Sequence, residues 1–383
     1  MFATFATVTD SSFVSNTAQF SGGGLLAFSS VTVTGSSFVS NTAKADGGGL
    51  FALSSAMVGS SSFVSNTAKG NGGGLFSLIA TVTSSTFVSN TAQSDGGGLY
   101  AFSATVGGSS LVSNTAQLNG GGLFSAIATV TSSSFVSNTA KASGGGLYSS
   151  NTAMVTSSTF VSNTASIQGG AVRASTLLTI ENSTLVANNA PLASAVFNGS
   201  GSLPTLIAFS TLSAHNPASG TISTAGPLTL SNSIVAQNSG IVCVGAGAKL
   251  LAGKNFLPDA TCGIGNDPLN PLLGPLADNG GPTLTQALLT GSPAINTANS
   301  CPASGVDQRG VPRGAPCDVG AYEVGGKPVL TLLVPPSTMQ GSGGVLPRWR
   351  GVASSGTVAL WQGSVRLDDG AEQHALGGGG ECG

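Results

Sequence analysis

Apolar and polar positions recur along the first half of the chain in a fixed phrase. The tetrapeptide Phe-Val-Ser-Asn ends at Asn16, Asn41, Asn66, Asn90, Asn138 and Asn163, and Leu111 stands for Phe in the copy ending at Asn114. Successive spacings are 25, 25, 24, 24, 24 and 25 residues. A glycine run keeps the same period, at Gly22–Gly24, Gly47–Gly49, Gly72–Gly74, Gly96–Gly98, Gly120–Gly122 and Gly144–Gly146, then Gly169-Gly170. Within one period Val31 and Val33 alternate with Thr, the period of two that a strand requires, and no helical stripe appears. Three short β segments joined by corners use up 24–25 residues. Such a unit cannot bury its inner face alone; stacking each turn on the last buries it. The pattern predicts an all-β, single-stranded parallel β-helix, a solenoid rising about 4.8 Å per coil.

The columns of this stack acquire physical roles. The glycines fall where the chain must turn with positive φ or pass close to its neighbours. Leu25, Leu50, Leu75, Leu99, Leu123 and Leu147 predict one inward ladder, and Phe13, Phe38, Phe63, Phe87, Phe135 and Phe160 a second. The column Asn16, Asn41, Asn66, Asn90, Asn114, Asn138 and Asn163 is expected to stack amide on amide between coils. Val14, Val39, Val64, Val88, Val112, Val136 and Val161 each follow the inward position. Two readings stay open for them: a bend that buries both neighbours, or an exposed apolar stripe offered to a partner or a sister molecule.

Beyond residue 170 the pattern loosens. Leu178-Thr-Ile-Glu-Asn-Ser-Thr-Leu185-Val-Ala-Asn188 reads as a degenerate coil, Ser210-Thr-Leu212-Ser-Ala-His215 as another, and Leu228-Thr-Leu-Ser-Asn-Ser-Ile234-Val-Ala-Gln237 as a third with Gln at the Asn position. About ten coils are expected by residue 240, since a repeat of this length must be counted out to its last recognisable copy. Residues 241–324 carry four of the five cysteines and many prolines and read as irregular final coils plus a cap. Residues 325–383, with Arg348, Trp349, Arg350 and Trp361, hold no repeat and are expected to be a low-complexity, disordered tail.

Composition narrows the function. Of 383 residues only 7% are charged, against about 25% in ordinary domains. A charge repeated on every coil would sit about 5 Å from its copies and repel them, which explains the scarcity. Lys44, Asp46, Lys69, Asp95 and Lys141 all fall between Asn-Thr-Ala and the glycines, marking the most solvated loop. Twelve basic residues and a net charge of −2 give no footprint for nucleic acid. The longest strongly apolar stretch, Val329 to Val334, is too short for a transmembrane helix.

Gly-Gly-Gly-Leu paired with Phe-Val-Ser-Asn resembles the repeat of the polymorphic outer-membrane proteins of chlamydiae, whose hallmarks are GGA(I/L/V) and FxxN. The FxxN half matches in most copies; the GGA half carries Gly in third place until Gly169-Gly170-Ala171-Val172, which matches. Later, Gly280-Gly-Pro-Thr-Leu-Thr-Gln-Ala-Leu-Leu-Thr-Gly-Ser-Pro-Ala-Ile295, Asp307-Gln-Arg-Gly-Val-Pro-Arg313 and Cys317-Asp-Val-Gly-Ala-Tyr-Glu323 resemble the choice-of-anchor Q segment that ends many secreted bacterial β-helix proteins. Together these resemblances imply a right-handed parallel β-helix of the pectin lyase-like kind, extracellular or associated with the outer membrane at the cell surface. No anchoring element is recognised after the segment. Met1-Phe-Ala-Thr-Phe-Ala-Thr-Val-Thr reads as the middle of a coil without a signal peptide, which suggests a fragment.

Candidate chemistry is sparse. Without a CxxC, and with His215 and His374 far apart, no metal or cofactor is expected; Cys243–Cys262 and Cys301–Cys317 are expected disulfides, implying an oxidising compartment. Asp307, Arg309, Arg313, Asp318 and Glu323 form the densest charge cluster, read as Arg309 or Arg313 pairing with Asp318 or Glu323 to fasten the cap. The expected function is a non-catalytic, adhesin-like structural rod whose partners are host-cell or matrix glycans or proteins, or other copies along the Val stripe. The alternatives are a pectate-lyase-like polysaccharide-degrading enzyme, for which residues 1–240 hold only Asp10, Asp46, Asp95 and Glu181 as acids, and an ice-binding β-helix using the column Thr17, Thr42, Thr67, Thr91, Thr115, Thr139 and Thr164.

Overall fold

The computed structural model describes residues 2–215, 220–263 and 267–325. Arg348, Trp349, Arg350, Trp361, His374 and Cys382, with the rest of the expected tail from residue 326, lie outside the described residues. No described residue is helical.

One regular coil has three faces. The first is a long strand such as Leu75–Thr83, the second a short one such as Thr86–Val88, the third a two-residue strand such as Thr91–Ala92. Each pairs in parallel with its equivalent one coil away, so that Phe63 lies opposite Phe38 on one side and Phe87 on the other. Ten strands stack on the second face and seven on the third. Coils of 24 and 25 residues coexist because the extra residue sits in the first face. Leu50–Gly59 has 10 residues where Leu75–Thr83 has 9, and the register shifts between Ser77 and Ile79. A bulge there leaves the ladders on either side in phase.

The corners explain the phrase Val-Ser-Asn. Phe38 points inward, Val39 outward, and Ser40 takes φ 56°, so the chain bends and Asn41 also points inward. Serine replaces glycine at this left-handed position in coil after coil. At the glycine corner, Gly47 has φ +66°, and a Cβ on Gly48 would lie 2.2 Å from the carbonyl oxygen of Gly73. The first glycine is needed for its φ and the second for close approach between coils.

The interior is a set of ladders. Leu25 through Leu147 are wholly buried. Phe13, Phe38, Phe63 and Phe87 stack with centroids 4.6–4.7 Å apart, and Phe135 and Phe160 stack at 4.5 Å, with Leu111 filling the intervening rung. The asparagines form a hydrogen-bonded chain. Asn66 Nδ2 donates to Asn90 Oδ1 at 2.9 Å and to the Phe38 carbonyl at 2.8 Å, while Asn66 Oδ1 accepts from the amide and side chain of Asn41. All four hydrogen-bonding positions of the side-chain amide are filled without water.

A second polar ladder was not singled out from the sequence. Ser36, Ser61, Ser85, Ser109, Ser133 and Ser158 stand at the corner before the second face. Ser61 Oγ donates to the Gly59 carbonyl at 2.8 Å and accepts from the Ser36 amide at 3.1 Å. The ladder continues through Ser183, Ser210 and Ser233 to Asn255, well past the point where the Phe column gives way to other residues. Its signal in the sequence, from Ser36 to Ser210, is the Ser that stands just before Ser or Thr and then the inward Phe or Leu.

In the later coils the assignment of Gln237 needs correction. Ile234 pairs with Thr211, Val235 with Leu212 and Ala236 with Ser213, so Gln237 takes the left-handed corner at φ 55°. Asn238 holds the ladder position, accepting from the His215 amide at 2.8 Å. The expectation aligned Ile234 with the inward leucines; the structure places Val235 there and turns Ile234 outward.

Cys243–Val244 and Lys249–Ala252 extend the first face by one more coil, and Phe256 bridges to Ile234 on the second. Leu257 and Cys262 complete the interior at this end. The chain then runs back along the outside of the second face. Leu273–Ala277 and Thr285–Leu288 form an antiparallel pair, and a separate apolar cluster joins Leu273, Leu288, Ala294 and Val319 to the outward Phe209, Ile234 and Ala236. Gln308 ties this strap down: its amide nitrogen donates to Thr159 Oγ1 at 2.7 Å and Thr283 Oγ1 at 2.9 Å, and its oxygen accepts from Thr184 Oγ1 at 2.6 Å.

Candidate functional site

With the inward positions committed to ladders, whatever the rod does must use its outward faces. Three differ in chemistry.

The first face is the most apolar. The residue after each inward Leu points outward, and Phe51, Phe76, Tyr100, Phe124 and Tyr148 form a continuous column with centroids 4.9–5.0 Å apart. The rings lie plane on plane, so their faces meet one another and their edges line the surface. Beside them stand Leu78 (47% exposed), Ile79 (53%), Phe102 (60%) and Ile127 (42%). From Leu25 to Thr34 and in the strands Leu50–Gly59, Leu75–Thr83, Leu99–Gly107, Leu123–Thr131 and Leu147–Thr156, not one residue is charged. The column ends at Arg173, whose guanidinium lies 4.4 Å from the Tyr148 ring centre.

A polar column borders the aromatic one at the residue before the glycines. Asn71 donates from its amide (2.7 Å) and side chain (3.0 Å) to Asp46 Oδ1, and Asn119 does the same to Asp95 Oδ1 at 2.8 and 3.0 Å. Asp and Asn alternate, so like charges stand two coils apart, about 10 Å by rise. Burial, then Asp95 and Asp46, pushes the Tyr100 hydroxyl above its ordinary pKa. Asp46 and Asp95 were visible from sequence; the intervening Asn71 and Asn119, which cap them, were not.

The second face presents Ser or Thr and Val. Val14 is 54% exposed in the first coil, and Val39, Val64, Val88, Val112, Val136 and Val161 are half-buried. Under the strap, Val186 is buried. On the third face Thr42, Thr67, Thr91, Thr115, Thr139 and Thr164 are half-buried.

The C-terminal charge cluster lies inside the strap. Asp307 pairs with Arg309, Nε to Oδ2 at 2.9 Å, and also accepts from the amides of Arg309, Val311 and Glu323. Arg309 donates to the carbonyls of Asn279 and Glu323 and stacks 3.7 Å from the Tyr322 ring centre. Arg313 pairs with Glu323 at 3.3 Å and reaches Asn182 Oδ1 of the solenoid at 3.0 Å. The partner of Arg309 is thus its near neighbour Asp307 rather than Asp318 or Glu323. Asp318 uses its carboxylate to accept from the amides of Asn296 and Val324. Burial raises the pKa values of Asp318 and Glu323 and lowers that of Arg313. These carboxylates face backbone amides, which is the chemistry of fastening. Among the described residues, no three His, Cys, Asp or Glu side chains gather into a metal-sized cluster.

Both disulfides are present. Cys243–Cys262 (Cα–Cα 5.0 Å) closes the last coil, and Cys301–Cys317 (5.6 Å) closes a loop of the strap.

His215 occupies a rung of the asparagine ladder. Its Nε2–H donates to the Leu185 carbonyl at 3.1 Å, as each Asn Nδ2 donates to the Phe carbonyl of the preceding coil. Its Nδ1 accepts from the Asn188 amide at 3.2 Å, as each Asn Oδ1 does. Nδ1 also lies 3.2 Å from the Asn188 carbonyl oxygen, and we assign the neutral Nε2–H tautomer because the Leu185 carbonyl can only accept. Burial pushes the pKa down to about 4.

Residues 84–101 match the Chlamydia polymorphic membrane protein (Chlamydia_PMP) repeat. No curated protein and no solved structure matches the chain. The matched span runs from the corner at Ser84 through the second-face strand Thr86–Val88, the Asn90 rung and the third face, past the glycine corner to the start of the next first-face strand.

Proposed function

We propose that the protein is a non-catalytic structural rod displayed at the cell surface or outside the cell, meeting its partners in the manner of an adhesin through the outward faces of its coils. The observation that carries this reading is the commitment of the coils' polar side chains to the stack: the Asn and Ser ladders spend their hydrogen-bonding groups on neighbouring coils. The matched repeat of a polymorphic membrane protein family supports the surface location. So do two disulfides, which persist in oxidising compartments. The likeness of residues 280–323 to the choice-of-anchor Q segment points the same way. The strap then serves to lock the later coils rather than to hold a substrate.

The test is protease shaving and antibody labelling of intact cells expressing the chain, with glycan-array and cell-binding assays on the purified protein. Surface labelling and saturable binding are expected. Release of reducing ends from a polysaccharide by the purified chain would replace this reading with the enzymatic one.

A further inference from the structure

The geometry points to a second copy of this chain as the partner of the first face. Three observations converge on that surface. Its outward positions carry no charge over six successive coils, from Leu25 to Thr156, so burying it against an apolar partner desolvates no ion. Six strands at about 4.8 Å and nine residues at about 3.3 Å give a face of roughly 850 Å². That footprint, shared between apolar side chains and outward Ser and Thr, is comparable with the ~800 Å² that each partner buries in a stable complex. The third observation selects the occupant. The ring edges of Phe51, Phe76, Tyr100, Phe124 and Tyr148 make ridges repeating every 4.9–5.0 Å. A partner with a different spacing loses register after a few ridges. A second copy carries the same spacing over the same length, so each ridge seats in a furrow of the other.

The patch has a charged limit on its C-terminal side. Arg173 closes one end over Tyr148, and Glu181 stands on the same face in the same coil, opposite Thr156. Two copies laid face to face on this patch with antiparallel solenoid axes form an isologous pair, the same surface contributed by each partner. Phe102, Ile79 and Ile127 flank the ridges and, with Met57 and Phe28, add exposed apolar surface to the contact. The half-buried Val column of the second face is left free for other partners.

Sedimentation of the full chain across a hundredfold concentration range reads this directly. A species of twice 37.2 kDa is expected. Phe102→Lys and Ile127→Lys, at exposed positions that leave the fold intact by circular dichroism, are expected to weaken dimerisation by tenfold or more each. Thr86→Lys, exposed on the second face, is expected to leave it unchanged. A monomer at all concentrations overturns the proposal. So does a dimer that Thr86→Lys disrupts and Phe102→Lys spares, which would move the interface to the second face. Neither outcome touches the surface-display reading, which is tested on cells.

Discussion

The coils up to Thr156 and those beyond it solve the same problem with different freedom. In the earlier coils no described residue covers the second face, and nearly every rung repeats: Ser or Thr outward, Phe or Leu inward, Val outward, Asn inward. In the later coils the strap lies over that face, and the columns change together. Thr159, Thr184, Thr211 and Ile234 become buried. The inward residue becomes Leu185, Leu212 and then Val235, and His215 takes an Asn rung. An uncovered coil draws its stability from its two neighbours, so an Asn or Phe is worth most when the rungs above and below are identical. A covered coil gains a third neighbour, the strap, and its internal match can relax. Regularity here is what a solenoid needs where nothing else supports it.

That comparison can be broken at several points. Phe63→Ala removes a ring stacked on both sides and should cost about 3–5 kcal/mol, read as a lowered urea midpoint. Hydrogen exchange should rise first in the flanking coils, since stability in a solenoid is carried between neighbours. The next effect belongs to the covered region. His215 is neutral when folded, with its pKa lowered from 6.5 to about 4. Between those values the unfolded chain binds a proton that the folded chain refuses. The stabilisation is therefore whole above pH 6.5 and is lost as pH falls toward 4, by about 3 kcal/mol. His215→Asn should flatten this part of the pH profile and leave stability at pH 7.5 little changed.

Asn66→Ala and Gln308→Ala compare the two supports. Each leaves buried partners unsatisfied and should cost on the order of 1–3 kcal/mol. Hydrogen exchange should distinguish them: Asn66→Ala opens the uncovered coils around it, Gln308→Ala the second face at Thr159 and Thr184 and the strap above. The smallest effect is expected from Val64→Thr, half-buried and outward, within about 1 kcal/mol by the same urea titration.

Much of the regular region was legible because its signal is redundant. Period, inward Leu and Phe, Asn column and glycine corners each repeat seven times or nearly so. The serine ladder escaped notice because Ser is abundant throughout the unit and its role depends on which copy faces a corner. The pairing of Asp46 with Asn71, and of Asp95 with Asn119, was hidden by alternation, since neither residue type recurs in consecutive coils. The misplacement of Gln237 has a related cause: with Phe gone, Ile234 and Val235 are equally plausible inward residues, and only the pairing with Thr211 and Leu212 decides. The strap's course was beyond sequence reasoning. Its contacts run from Gln308 to Thr159, 149 residues apart, and a hydrogen bond of that span leaves no periodic trace. The charge cluster was legible as a cluster, and Arg313 does pair with Glu323 as one of the expected combinations; the pairing of Arg309 with its near neighbour Asp307 was not among them.

Register is the claim on which all of this rests, and engineered cross-linking measures it. Thr86 lies opposite Ser110 on the outward side of the second face, at the ~4.8 Å spacing of paired strands, within the ~4.4–6.8 Å that a disulfide spans. Ser134 lies one coil further, about 10 Å from Thr86 by rise. With Cys382→Ser in the background, Thr86→Cys with Ser110→Cys should form an intramolecular disulfide on mild oxidation, seen by mass spectrometry, and Thr86→Cys with Ser134→Cys should not. Equal bridging in both pairs, or none in the first, would contradict the coil-on-coil stack.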